Sequence, residues 1–168
     1  MARLAFTGSP TLRRRGLLKA LALLPAAALR PVVAEATDYA DAADVFSAID
    51  RLEADVDARL RAIARQQPAA REFAQSVLED GERHRRRRGQ LRRQLGLAPA
   101  PEPTGPTSPD RTLEGLRSAL EALAYAHAEG LPALGDPHAV DVLAHDMIDV
   151  SRQRTVVDLW ISLEADRG

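Results

Sequence analysis

The chain has 168 residues, 45% of them hydrophobic but only 4% aromatic, with a formal net charge of −1 at pH 7. One domain is the expectation at this length, and an apolar complement rich in Ala, Leu and Val suits closely packed helices better than a sheet. Because cysteine is absent, disulfides, thiolate metal sites, thiol nucleophiles and covalent haem attachment are excluded.

At the N-terminus, Arg13, Arg14 and Arg15 precede Gly16-Leu17-Leu18-Lys19, an apolar run from Ala20 to Leu29, and then Ala34-Glu35-Ala36. A basic start, a short apolar middle and an Ala-x-Ala end are the parts of a secretory signal, and about 10 apolar residues are too few to span a bilayer. Arg14-Arg15-Gly16-Leu17-Leu18-Lys19 further resembles the twin-arginine (Tat) export signal, with Leu17 where Phe is commonest and Arg13 where Ser or Thr is usual. The resemblance implies export by the Tat translocase to the periplasm or cell envelope, after folding, and often with a cofactor already inserted. Residues 1–36 are thus expected to be a removable signal, with retention as an anchor as the other reading. Without them 17 Arg and 23 Asp and Glu remain. At about −6, residues 37–168 form an acidic domain, and nucleic acid is not the expected partner.

From Asp38 to Arg65 the residues Val45, Ile49, Leu52, Val56, Leu60 and Ile63 recur at steps of three and four, the pattern of a helix with one buried face. Pro68 suits the first turn of a second helix that runs to about Leu95 and stops at Gly96. The short break predicts an antiparallel hairpin. Along the second helix, Phe73, Val77, Asp80, His84, Leu91 and Leu95 form one row. A carboxylate and an imidazole therefore fall on an otherwise apolar line.

Residues 96–110 hold Pro99, Pro101, Pro103, Pro106 and Pro109 and read as an extended linker. Fifteen residues at ~3.1 Å each reach ~45 Å, against ~39 Å for the second helix at ~1.5 Å per residue. Such a linker is long enough to cross the length of a bundle. Ser108-Pro109 is expected to open a third helix with Leu113, Leu116, Leu120, Leu123 and His127 on its inner row, ending near Gly130. Asp136-Pro137 opens a fourth, apolar from Val140 through Leu163, with Val140, Leu143 and Met147 read as its inner face. The prediction is an all-α four-helix bundle of two antiparallel hairpins joined by a Pro-rich crossover, a layout that resembles ferritin-like folds.

Asp80 and His84 lie one turn apart, close enough to share a metal ion or to pair with each other. Glu53 stands level with them across the first hairpin. In the second hairpin, Glu121, His145 and Asp149 make a comparable set, with His127 inward on the third helix. The two sets of three, Glu53, Asp80 and His84 with Glu121, His145 and Asp149, resemble the carboxylate and histidine site of ferritin-like di-metal proteins, which implies iron or manganese, and His127 is a further candidate ligand. The Glu-x-x-His spacing of that family is replaced by Asp-x-x-x-His and His-x-x-x-Asp. Non-covalent haem between His84 and His127 is the other cofactor considered. Alternatives stay open: Asp80 and His84 as a core ion pair, His127 as a core histidine, and His145 with Asp149 turned to solvent. Arg83, Arg85, Arg86, Arg87, Arg88, Arg92 and Arg93 encircle the second helix. They are expected to pair with acids of the first helix, or else to dock on a partner or a membrane surface. No nucleophilic triad order, phosphate-cradling Gly loop or zinc pattern is present.

Overall fold

The computed structural model describes residues 39–100 and 109–165. The segment expected to be an export signal, residues 1–36, and most of the Pro-rich segment lie outside the described residues. The described residues form four α-helices, α1 (Ala42–Gln66), α2 (Arg71–Gln94), α3 (Leu113–Gly130) and α4 (Pro137–Ala165), with 3-10 turns at Pro68–Ala70 and Leu131–Ala133. Among the described residues there is no strand, and no helix is long and apolar enough to cross a membrane.

Local chemistry sets the helix ends. Asp41 caps α1 by accepting from the amides of Ala43 and Asp44 at 2.7 and 3.1 Å. Helix α2 stops where expected, at Gly96, whose φ of +68° suits a residue without a Cβ. There the Gly96 amide bonds to the Arg93 carbonyl and the Leu97 amide to the Arg92 carbonyl, closing two carbonyls that the helix leaves open. Helix α3 begins later than its proline suggested. Asp110 accepts from both the amide and the hydroxyl of Thr112, and Thr112 in turn caps the amide of Gly115 at 3.0 Å. The cap is therefore Thr112 and not Ser108, because a fixed side-chain acceptor at the first open amides outweighs a favourable proline. Asp136 caps α4 through the amide of Ala139 at 2.8 Å.

Helix α1 packs on both α2 and α3, and α4 packs on α3 and more lightly on α2. Arg85 meets Asp57 while Arg92, two turns later, meets Asp50, so α1 and α2 are antiparallel. Helix α3 starts beside Arg59, which faces Asp110, and ends with Gly130 against Val45, so it too runs antiparallel to α1. Phe73 stacks edge-on against Trp160 with centroids 4.9 Å apart, while Arg87 reaches Asp146, which makes α4 antiparallel to α2. Phe46, Ile49, Leu60, Leu116, Leu120 and Leu143 form the fully buried apolar centre. Each such side chain contributes about 1.5–3 kcal/mol by leaving water.

Candidate functional site: a buried ion network

The inward row of α2 is Ala74, Val77, Gly81, His84, Arg88 and Leu91. Only part of it matches the sequence reading. Gly81 holds the buried position next to Glu53 and Asp57, and Asp80, one residue earlier and so about 100° round the helix, turns to the margin. There it pairs with Arg83 and accepts from Gln153 at 3.2 Å.

The buried side of α1 carries three carboxylates, Asp50, Glu53 and Asp57, at steps of three and four. Opposite them α2 presents Arg92, Arg88 and Arg85 in reverse order. Arg88 is 1% exposed; its Nε donates to Asp50 Oδ1 at 2.9 Å, its Nη2 donates to Glu53 Oε2, and its Nη1 lies 3.6 Å from Asp146 Oδ2. Arg85 bridges Glu53 and Asp57 at 3.2 and 3.1 Å. Arg92 bonds to Asp50 and Ser47 and lies over the ring of Phe46, 5.5 Å from its centroid.

His84, 2% exposed, faces acids on two helices. Its Nδ1 is 3.6 Å from Glu53 Oε1, and its Nε2 is 3.6 Å from Asp146 Oδ1 and 3.5 Å from Asp149 Oδ2. At such separations these are ion pairs and not close hydrogen bonds. Burial works against the imidazolium, yet Glu53 and Asp146 outweigh it and hold the pKa of His84 above its ordinary value. For Glu53, burial is likewise overcome, by Arg88, His84 and Arg85, and the carboxyl lies below the usual range. Asp146 behaves differently. Burial pushes its carboxyl up, despite His84, Arg88 and Arg87.

His127, fully buried on α3, titrates the other way. Burial pulls its pKa to about 4, opposed by the bond to Leu123 and aided by the charge of Arg88. Its Nδ1 lies 2.8 Å from the Leu123 carbonyl, which can only accept, so Nδ1 carries the proton. The Nε2 lone pair then faces the core.

Of the seven residues singled out from sequence, the structure brings Glu53, His84 and Asp149 into one cluster and buries His127 near them. Asp80, Glu121 and His145 are engaged elsewhere. Glu121 meets Arg154 at 3.5 Å, and His145 is exposed, with Nδ1 2.8 Å from the Asp141 carbonyl. Of the two readings open for His145 and Asp149, His145 follows the solvent-facing one, while the half-buried carboxylate of Asp149 reaches back to His84. The residues that sequence reasoning missed are the acids Asp50 and Asp57, which the α2 arginines meet, and above all Asp146. Asp146 lies on the line Ala139, Leu143, Asp146, Val150, Gln153, Val157, which is the buried side of α4. That line has helical spacing, but the reading through Val140 and Met147 was phased one residue away.

A metal ion fits this cluster poorly. Among the described residues no three His, Asp or Glu side chains are arranged to hold one, and the carboxylates that would ligate it are already bound by a guanidinium. Of the seven arginines from Arg83 to Arg93, Arg85, Arg88 and Arg92 pair with acids of α1 as expected, Arg87 pairs with Asp146 of α4, and Arg83 and Arg86 pair with acids of α2 itself. Comparison of the chain with protein-family models, with curated proteins and with solved structures returns no match.

Proposed function

We propose that this chain is an exported four-helix bundle of ferritin-like layout that acts as a cofactor-free structural module of the cell envelope. One observation carries the reading: the guanidinium of Arg88, 1% exposed, sits among Asp50, Glu53 and Asp146, where a bound cation would otherwise neutralise them. A second positive centre beside it would meet strong repulsion at low dielectric. The crossover layout is supported by α2 ending beside Ser47 and Asp50 while α3 starts beside Arg59. Internal pairing on α2 removes most of the charge that docking through that helix would use.

A cofactor reading has its own support, since His84 Nε2, His127 Nε2 and Asp146 Oδ2 are buried without a hydrogen-bond partner in the protein. Iron or manganese would have to bind beside Arg88 Nη1. Elemental analysis and thermal melting of protein recovered from its export route, with and without EDTA, separate the two. The module reading expects no stoichiometric metal and one melting temperature. Stoichiometric iron or manganese, with a melt lowered by EDTA, overturns it.

A further inference from the structure

The chain leaving α2 turns back beside the helix. Gly96 makes the turn, the Leu97 amide bonds to the Arg92 carbonyl at 2.8 Å, and Arg92 Nη1 donates to the Ala98 carbonyl at 3.5 Å. Between the helix and this returning segment lies a cleft of about 240 Å³. Its floor is Arg85, Gly89, Arg92 and Arg93, which share one face of α2 at helical spacing, and its far wall is Leu97, Pro99 and Ala100. Gly89 leaves the floor hollow. A Cβ there would meet no side chain within 4 Å except Arg93 Nη1, at 3.9 Å, so the Arg93 guanidinium borders the space that a larger residue would take.

Charge in the cleft is unbalanced. Arg85 is held by Glu53 and Asp57, and Arg92 by Asp50, the one acid that lines the cleft. Arg93 is exposed and pairs with no acid among the described residues. The surplus positive charge favours an anion. Leu97, Pro99, Ala100 and the methylene stems of the arginines make the walls apolar, which disfavours a strongly hydrated ion such as phosphate and covers the body of an organic acid. One planar guanidinium fork matches one carboxylate. The volume is below the ~300–1,000 Å³ of pockets for drug-sized ligands, so the acid that fits is small.

We infer that this cleft is a binding site for a small organic carboxylate, with its acid group on the Arg93 guanidinium and its apolar body between Gly89 and the wall of Leu97, Pro99 and Ala100. Because Arg93 is exposed, a solute reaches the site without opening the bundle. The inference goes beyond the structural-module reading and does not depend on whether the buried network holds a cofactor.

The test is titration of the full-length, nitrogen-15-labelled chain with benzoate, hexanoate, acetate or inorganic phosphate at constant ionic strength, followed by backbone amide and arginine Nε NMR signals. The expected result is saturable binding of benzoate or hexanoate with shifts centred on Gly89, Arg93, Leu97 and Ala100. Acetate, which lacks the apolar body, should bind at least about tenfold more weakly, and phosphate should do the same. Gly89→Leu fills the hollow with a better helix former and should abolish binding without lowering the melting temperature. Arg93→Gln should weaken binding by about tenfold or more, with Arg93→Lys, which keeps the charge and loses the fork, in between. Phosphate or acetate binding as tightly as benzoate and hexanoate overturns the inference, as does binding that survives Gly89→Leu or is undiminished in Arg93→Gln. The absence of any saturable shift overturns it as well.

Discussion

Arg88 Nε donates to Asp50 Oδ1 at 2.9 Å across the α1–α2 interface, with the guanidinium 1% exposed. Little solvent is at hand to take over if either partner goes. Removing Arg88 leaves Asp50 with Arg92 alone and Glu53 with Arg85 and His84, an excess of buried negative charge. Arg88→Met should therefore cost about 3–5 kcal/mol, read from urea denaturation. Arg61→Ala, at a half-exposed pair with Asp57, should cost less than about 1 kcal/mol. Equal losses in the two variants would contradict the network described above.

His127 predicts an acid limit to stability. Its folded pKa of about 4 lies below its ordinary 6.5, so between those values the unfolded chain takes up a proton that the folded chain refuses. Stability falls as pH drops through that window, by about 3 kcal/mol in all. His127→Phe should flatten this part of the profile, as measured by denaturant midpoints from pH 7 to pH 4. A slope unchanged by the substitution rules out His127 as its source.

His84 has the opposite sign. Its pKa is raised in the folded state, so its contribution is complete below the unfolded value near 6.5 and is lost as pH rises through the folded value. His84→Gln should therefore remove a loss of stability on the alkaline side while leaving the acid side set by His127. An NMR titration placing His84 below 6.5 in the folded protein would reverse the assignment.

Gly130 closes α3 against Val45, where an added Cβ would press into the valine side chain. Gly130→Leu overfills this contact and should cost about 1–3 kcal/mol. Val45→Ala in the same chain should recover part of the loss, a coupling that a double-mutant cycle measures. Additive costs would place the two residues apart.

Export is testable at residues outside the described part of the chain. Changing Arg14 and Arg15 together to Lys should hold the protein in the cytoplasm, read by fractionation of cells expressing the full chain. Continued export of the double variant removes the twin-arginine reading.

Much of the helical layout was legible from sequence because capping and turn chemistry is local. Asp136 and Gly96 act where they stand, and the row Val45, Ile49, Val56, Leu60, Ile63 on α1 is buried as its spacing required. The polar layer was less legible. On α2, Asp80 and Gly81 differ by one position, and a row drawn through Phe73 and Leu95 admitted the wrong one. On α4 the inward row contains Asp146 and Gln153, while Ile148, Leu159 and Leu163 are exposed. Hydrophobicity therefore does not mark its buried side.

By itself the sequence determined the four helices, most of their ends, the absence of thiol chemistry and the presence of His84 and Glu53 at matching heights of one hairpin. Only the tertiary structure decided what neutralises the buried acids. Eight arginines on one helix look alike as letters. Which of them turns inward depends on a rotation of about 100° per residue and on the carboxylates that α1 and α4 bring to meet it. Arg88 is the one enclosed on all sides, and Asp146 is the acid that α4 brings to it.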